Sequence, residues 1–346
     1  MRPNQTVRRT GILAALAATP FALAWRFAHI YRQRAGFPRP TAPTLDPGDV
    51  GLPFETRSVN TPDGLELPAW WIPAHGGGKA PTVVLIHGWE SARHRTLPNA
   101  QFLNRLGYHV LTVDVRGHGS NPAEVEPVST GEFGVDALAA VHAALADPLT
   151  TTVAILGHSL GAVGAILAAA SEPRVAAVIL TATPSDPIRL TRQTFRLARL
   201  PIPDFIAYPL AWFTTRVYLE PRGHRTRDIS ASHAIGLYQG PVLAIHGTDD
   251  QVVPFVHFER LVKAGRDSRA GAADAAPIES LAIPDGQHSW LYEFPAYRAS
   301  VAGFLARALD GPLPVDEAEA AAIAVDARRP VEPDHGFSAL APAEGS

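Results

Sequence analysis

The segment Gly157-His158-Ser159-Leu160-Gly161 places a serine between two glycines. An apolar run, Thr152–Leu156, leads into it, and an alanine-rich stretch, Ala162–Ala170, follows. Small residues on both sides let a strand reverse sharply into a helix and leave the serine hydroxyl exposed at the strand's end. The start of that helix offers the Leu160 N–H and a partial positive charge to a developing oxyanion. A serine hydroxyl is a weak nucleophile until a base takes its proton. Two later segments supply candidates: His246-Gly247-Thr248-Asp249-Asp250-Gln251-Val252-Val253-Pro254, and Asp285-Gly286-Gln287-His288-Ser289-Trp290. Each follows a short apolar run. Ser159, an acid and His288 are therefore expected on one edge of a sheet, equipped for acyl transfer. The acid is Asp249 or Asp250, and the spacing to Val253-Pro254 selects Asp250.

Two further segments end apolar runs. In His87-Gly88-Trp89, Gly88 lets the chain turn beneath the nucleophile. The Trp89 N–H becomes a candidate second oxyanion donor, and its ring a candidate pocket wall. His87 itself reads as structural. Asp114-Val115-Arg116-Gly117-His118-Gly119-Ser120 reads as a turn network supporting the sheet edge.

The elements that must hold these residues alternate. Glu55–Asn60 and Leu65–Ile72 are predicted strands joined by a turn at Pro62-Asp63-Gly64. Further strands are expected at Thr82–His87, His109–Asp114, Thr152–Leu156, Val175–Thr181, Val242–His246 and Ile278–Ile283. Helices are expected at Leu97–Leu106, Gly134–Leu145, Ala162–Ala170 and within His288–Leu309. Such alternation implies crossover units and a mostly parallel sheet, with the leading hairpin as an antiparallel edge. About 55 residues between Thr183 and Gln239 break the rhythm, mixing aromatics with arginines. Following a strand, where a parallel sheet carries its ligand crevice, they are predicted to form a cap over the site. Ala264–Ala276 reads as a flexible surface loop.

Together, His87-Gly88, Asp114-x-Arg116-Gly117-His118-Gly119, the turn at Ser159, His246-Gly247-x-x-Asp250 and Gly286-x-His288-Ser289 resemble the α/β-hydrolase superfamily in order and spacing, over residues 55–309. The branch most resembled is the bacterial serine-aminopeptidase-like or esterase-like one. The resemblance implies an α/β fold: a mostly parallel twisted sheet, helices on both faces and an inserted helical cap. It implies Ser159, Asp250 and His288 as a triad, with Trp89 and Leu160 as oxyanion donors. Haloalkane dehalogenases and epoxide hydrolases are similar in fold but carry a carboxylate where this chain has Ser159. A peptidase, a thioesterase, a cofactor-free haloperoxidase and a non-catalytic binding protein on the same scaffold remain as alternatives to an esterase.

Composition narrows the classes. The 346 residues are 46% hydrophobic and 18% charged, with a formal net charge of −3 and no cysteine. A core is affordable, thiolate chemistry is excluded, and nothing points to a nucleic-acid partner. No metal or cofactor motif occurs, so no cofactor is expected and the partner is a small-molecule acyl substrate.

The two ends differ in charge. Residues 1–40 carry seven arginines and no acid, whereas the tail from Asp310 carries eight acids against Arg328 and Arg329. Arg8-Arg9 precede an apolar run, Gly11–Trp25, within an N-terminal segment assigned to residues 1–36. It reads as an uncleaved membrane anchor. A signal peptide cleaved after Ala22-Leu23-Ala24, a twin-arginine signal and an amphipathic helix packed on the core are the alternatives. A proline-rich linker is expected at 37–54, the catalytic domain at 55–311 with its cap at about 184–239, and a largely disordered acidic tail at 312–346, with a short helix at Asp316–Ala327.

Overall fold

The computed structural model describes residues 5–219, 222–271 and 275–326, with side chains from residue 13 onward. An eight-stranded sheet forms the centre, ordered β1-β2-β4-β3-β5-β6-β7-β8. The strands are β1 (Glu55–Asn60), β2 (Glu66–Ile72), β3 (Ala80–Ile86), β4 (His109–Val113), β5 (Thr150–His158), β6 (Val175–Thr181), β7 (Val242–Gly247) and β8 (Ile278–Ile283). β1 and β2 pair antiparallel, β2 runs antiparallel to β4, and all later pairs are parallel. The inner strands β3, β4 and β7 are buried along their whole length. This is why their sequences read as unbroken apolar runs and not as alternating ones.

Helices cover both faces. On one face lie α3 (Thr130–Ala146), α4 (Leu160–Ser171), α7 (Ala231–Leu237) and α8 (Val256–Arg269); on the other lie α2 (Leu97–Arg105), α9 (Pro295–Leu309) and α10 (Val315–Ala324). Each face has its own apolar cluster. α3 begins at Thr130, four residues before the predicted Gly134, because Ser129 and Glu132 form a reciprocal capping box. The stretch read as a loop from Ala264 is helical through Arg269. The buried Arg269 guanidinium donates to the carbonyls of Tyr238 and Gly240 and ties that end of α8 down. Residues 272–274 lie outside the described residues.

The short helix expected at Asp316–Ala327 is present as α10, Val315–Ala324. α10 packs against α9, buries Ala318 and Ala322, and receives hydrogen bonds from the buried Arg298 at its last carbonyls. From residue 327 onward the tail lies outside the described residues.

The insertion after β6 is helical. It consists of α5 (Pro187–Leu197) and α6 (Asp204–Leu219), while α7 belongs to the body and packs on α4 and α8. The N-terminal helix α1 (Gln5–Ala35) lies along this hairpin. Phe27 and Tyr31 meet the Phe195 ring edge-on at 5.2 and 5.6 Å, and Trp25 meets Phe213 at 6.4 Å. The Tyr31 and Thr194 hydroxyls are 2.8 Å apart. The proline-rich linker runs along the body as a strap. Val128 N–H donates to the Gly36 carbonyl, Pro38 packs on Gly117, Asp46 caps the short helix Pro47–Val50, and Leu52 enters the core.

Candidate active site

Ser159 joins β5 to α4. Its backbone is held at φ 53°, ψ −121°, a strained conformation for a residue with a side chain. Two glycines make the turn possible. A Cβ at Gly157 would stand 2.3 Å from the Gly161 carbonyl oxygen, and one at Gly161 would stand 2.3 Å from the His87 carbonyl oxygen. The G-x-S-x-G spacing is thus a packing requirement. β5, α4 and the end of β3 meet too closely for any larger residue at either end.

His288 lies in the loop after β8. Its Nε2 is 3.1 Å from Ser159 Oγ, and its Nδ1 is 2.8 Å from Asp250 Oδ2. Asp250 follows β7 and is buried, whereas Asp249 is exposed and reaches the histidine loop only through its backbone N–H, which donates to the Gly286 carbonyl. The structure therefore brings Ser159, His288 and Asp250 into one hydrogen-bonded line and leaves Asp249 outside it. Burial pushes the Asp250 carboxyl up, but hydrogen bonds from His246 and His288 outweigh burial and hold it well below the usual carboxylate range. The N–H groups of Val252 and Val253 donate to its Oδ1 at 2.9 and 2.7 Å.

Trp89 and Leu160 flank the serine. Gly88 abuts Ser159 closely enough that a Cβ there would lie 3.2 Å from the serine Cβ. The next peptide, that of Trp89, starts beside this serine. Leu160 is the first residue of α4, where backbone N–H groups point out of the helix. His87 is buried beneath them. Its Nε2 lies 3.2 Å from Val115 N and its Nδ1 2.7 Å from the Gly88 carbonyl, a bracing role. The segment from Asp114 to Ser120 braces the same edge. Asp114 accepts from Arg93 and Ser120, while Arg116 bridges Asp136 and Asp63.

A pocket opens on Ser159. Its walls come from Arg39 and Thr41 of the strap, Trp89 and Arg95 after β3, and Trp290 and Tyr297 after β8. Among the described residues, none from α5 or α6 lines it. The inserted helices pack on α1 and reach the acid loop, where Gln193 donates to the Gln251 carbonyl at 2.9 Å, while the strap supplies part of the pocket wall. The Arg95 guanidinium lies 4.1 Å above the Trp290 ring. Among the described residues, no cluster of three or more His, Asp or Glu is arranged as a metal site.

The sequence reading missed three features. His246 Nε2 lies 3.2 Å from Asp250 Oδ2, making a second imidazole contact to the same oxygen. The His158 ring packs against His288. Arg39 and Thr41 enter the pocket from the proline-rich linker. Both histidines stand inside quoted motifs, but spacing does not reveal which way a ring turns.

Known structures share this frame. An esterase of Pyrococcus furiosus superposes with a TM-score of 0.61 at 20% identity, covering 78% of this chain and 96% of its own. A Butyrivibrio proteoclasticus protein, Est1E, with ferulic acid bound superposes at 0.54, with 20% identity and coverage of 73% and 99%. At such identities the likeness speaks to fold alone. The family model for serine aminopeptidases, S33, matches residues 78–222, which hold Trp89, Ser159 and Leu160 but neither Asp250 nor His288. An uncharacterised protein of Mycobacterium tuberculosis is 30% identical over 282 residues, covering 80% of this chain and 86% of its own. The chain belongs to the α/β-hydrolase superfamily. This α/β hydrolase is also similar to the human protein ABHD12B, at 27% identity over 275 residues, 76% of this chain and 71% of that one.

Proposed function

We propose that the chain is a serine hydrolase that cleaves a carboxylic ester or related acyl bond through an acyl-enzyme. The observation that carries this is the line Asp250–His288–Ser159, with hydrogen-bond contacts of 2.8 and 3.1 Å ending on a strained nucleophile turn. In this reading His288 Nδ1–H donates to Asp250 and Nε2 accepts from the Ser159 hydroxyl. Nε2 takes the proton as Oγ bonds to the acyl carbon, and Asp250 stays ionised and stabilises the imidazolium. The carbonyl oxygen gains negative charge against the Trp89 and Leu160 N–H groups. When the tetrahedral species collapses, the bond to the alkoxide breaks and His288 returns the proton to it. Water, deprotonated by His288, then releases the acid and restores the serine.

Labelling with a fluorophosphonate probe, together with turnover of p-nitrophenyl acyl esters, tests this reading. Both should disappear in Ser159→Ala; labelling that persists in that variant refutes the nucleophile assignment. The S33 match supports peptide bond cleavage as a second reading. Aminoacyl p-nitroanilides turned over faster than esters would favour it.

The N-terminal helix is proposed to anchor the enzyme to a membrane. Leu13–Ala35 is long and apolar enough to cross one, and Leu13, Leu16, Phe21 and Leu23 are exposed. A cleaved signal peptide meets the same test of length and composition. The intact mass of the membrane fraction separates the two.

A further inference from the structure

We propose that the tip of the α5–α6 hairpin is a second membrane contact, seated in the headgroup layer of an anionic bilayer beside α1. The proposal rests on the reading of α1 as an anchor.

The helix directions place the tip. Along α1, Tyr31 meets Thr194 and Phe195 of α5, and Phe27 meets Phe195. Further along, Tyr218 of α6 packs beside Gly36, just past the end of α1, while Phe213 packs on Trp25. Stepping back through α6 from Tyr218 to Phe213 thus follows α1 backward from its end. α6 runs parallel to α1 and α5 runs against it, so the hairpin tip points toward the apolar N-terminal part of α1. Phe205 precedes Phe213 by two turns, about 12 Å of helix. That carries it toward the apolar N-terminal part of α1.

The chemistry of the tip fits the interface between water and lipid. Phe205 is 79% exposed, and Ile206, Tyr208 and Trp212 are each more than two-fifths exposed, as is Phe21 on α1 at 76%. Large aromatics rarely face water in a group, whereas Trp and Tyr gather at bilayer headgroups. Arg26, Arg199 and Arg216 are exposed around them, and the Arg216 guanidinium lies 5.0 Å above the Trp212 ring. Asp204, the one acid of α6, is paired with Arg192 and Arg196. An apolar aromatic surface rimmed by arginine and continuous with an apolar helix matches acyl chains beneath anionic headgroups.

The absence of cysteine makes the test direct, because any introduced thiol is unique. Phe205→Cys and Trp212→Cys are labelled with an environment-sensitive fluorophore in the full chain. The labelled protein is then reconstituted into phosphatidylcholine vesicles containing phosphatidylglycerol. Ser171→Cys, at the far end of α4 from the site, is the control. The expected result is flotation of all three proteins, with a blue shift and quenching by acyl-chain nitroxides at 205 and 212 but not at 171. Flotation without a blue shift or quenching at 205 and 212 overturns the second contact and leaves the anchor standing. Failure to float overturns both. A blue shift that grows with protein concentration in detergent, without vesicles, assigns the face to a second copy of the chain and overturns the bilayer.

Discussion

The ring of His158 lies 4.9 Å from the ring of His288, tilted by 52°. Burial pushes His158 down to about 3, so it packs against its neighbour without adding a charge at neutral pH. His118 is likewise lowered to about 3, and His257 to about 4. For a histidine of depressed pKa, the unfolded chain binds the proton first. Stability is then full above about pH 6.5 and is lost as pH falls toward the folded value. Each such histidine should remove about 1.4 kcal/mol per pH unit in that window. Denaturant unfolding followed from neutral pH toward pH 4 should show this steep loss, with a shallower slope in His158→Gln. A flat profile would contradict the burial of these rings.

The two neighbouring aspartates should separate sharply. Asp250→Asn removes the charge facing the imidazole and favours the wrong tautomer, and is expected to lower kcat for a p-nitrophenyl ester by roughly 10⁴-fold. Asp249→Asn, on an exposed side chain, should change it by no more than about twofold. Equal losses would show that the loop, and not the Asp250 carboxylate, matters.

Gly161→Ala inserts a methyl group into a space bounded by the carbonyl oxygens of His87 and Ile86. Backbone cannot yield there as a flexible side chain would. The variant should lose roughly 1–3 kcal/mol of stability, and its fluorophosphonate labelling should fall further than stability alone explains. Rapid labelling in a fully stable variant would mean that the turn tolerates widening.

Substrate choice should follow the strap and not the hairpin. Arg39→Ala and Thr41→Ala change the pocket wall and should alter the ratio of kcat/KM between esters of different acyl groups. Arg189→Gln, on α5 outside the pocket, should leave that ratio within about twofold. A profile of acyl esters across the three variants checks this, and a shift confined to Arg189→Gln would show that the hairpin, and not the strap, sets the choice.

Much of this was legible in the sequence for a local reason. Ser159, Asp250 and His288 each stand directly after a short apolar run, and a parallel sheet carries all such positions to one edge. Asp250 separates from Asp249 only in three dimensions, where one carboxylate turns inward onto two imidazoles and the other into solvent. The contacts of the strap and the hairpin were not legible, because they depend on the path of the chain. Nothing in Pro38-Arg39-Pro40-Thr41 records that Pro38 lands on Gly117, and nothing in Phe195 or Phe213 records that α1 lies beside them. The start of α3 was readable, since Ser129-x-x-Glu132 is a helix-opening pattern.

The strap also sets a leash. α1 ends at Ala35 and Arg39 already stands in the pocket wall, so at most about 14 Å of extended chain separates them. With α1 in a bilayer, Ser159 would be confined to a thin layer above the lipid. Substrate and enzyme would then meet by a search over a surface instead of through a volume, and the rate would follow the amount of substrate per area of membrane, not per litre.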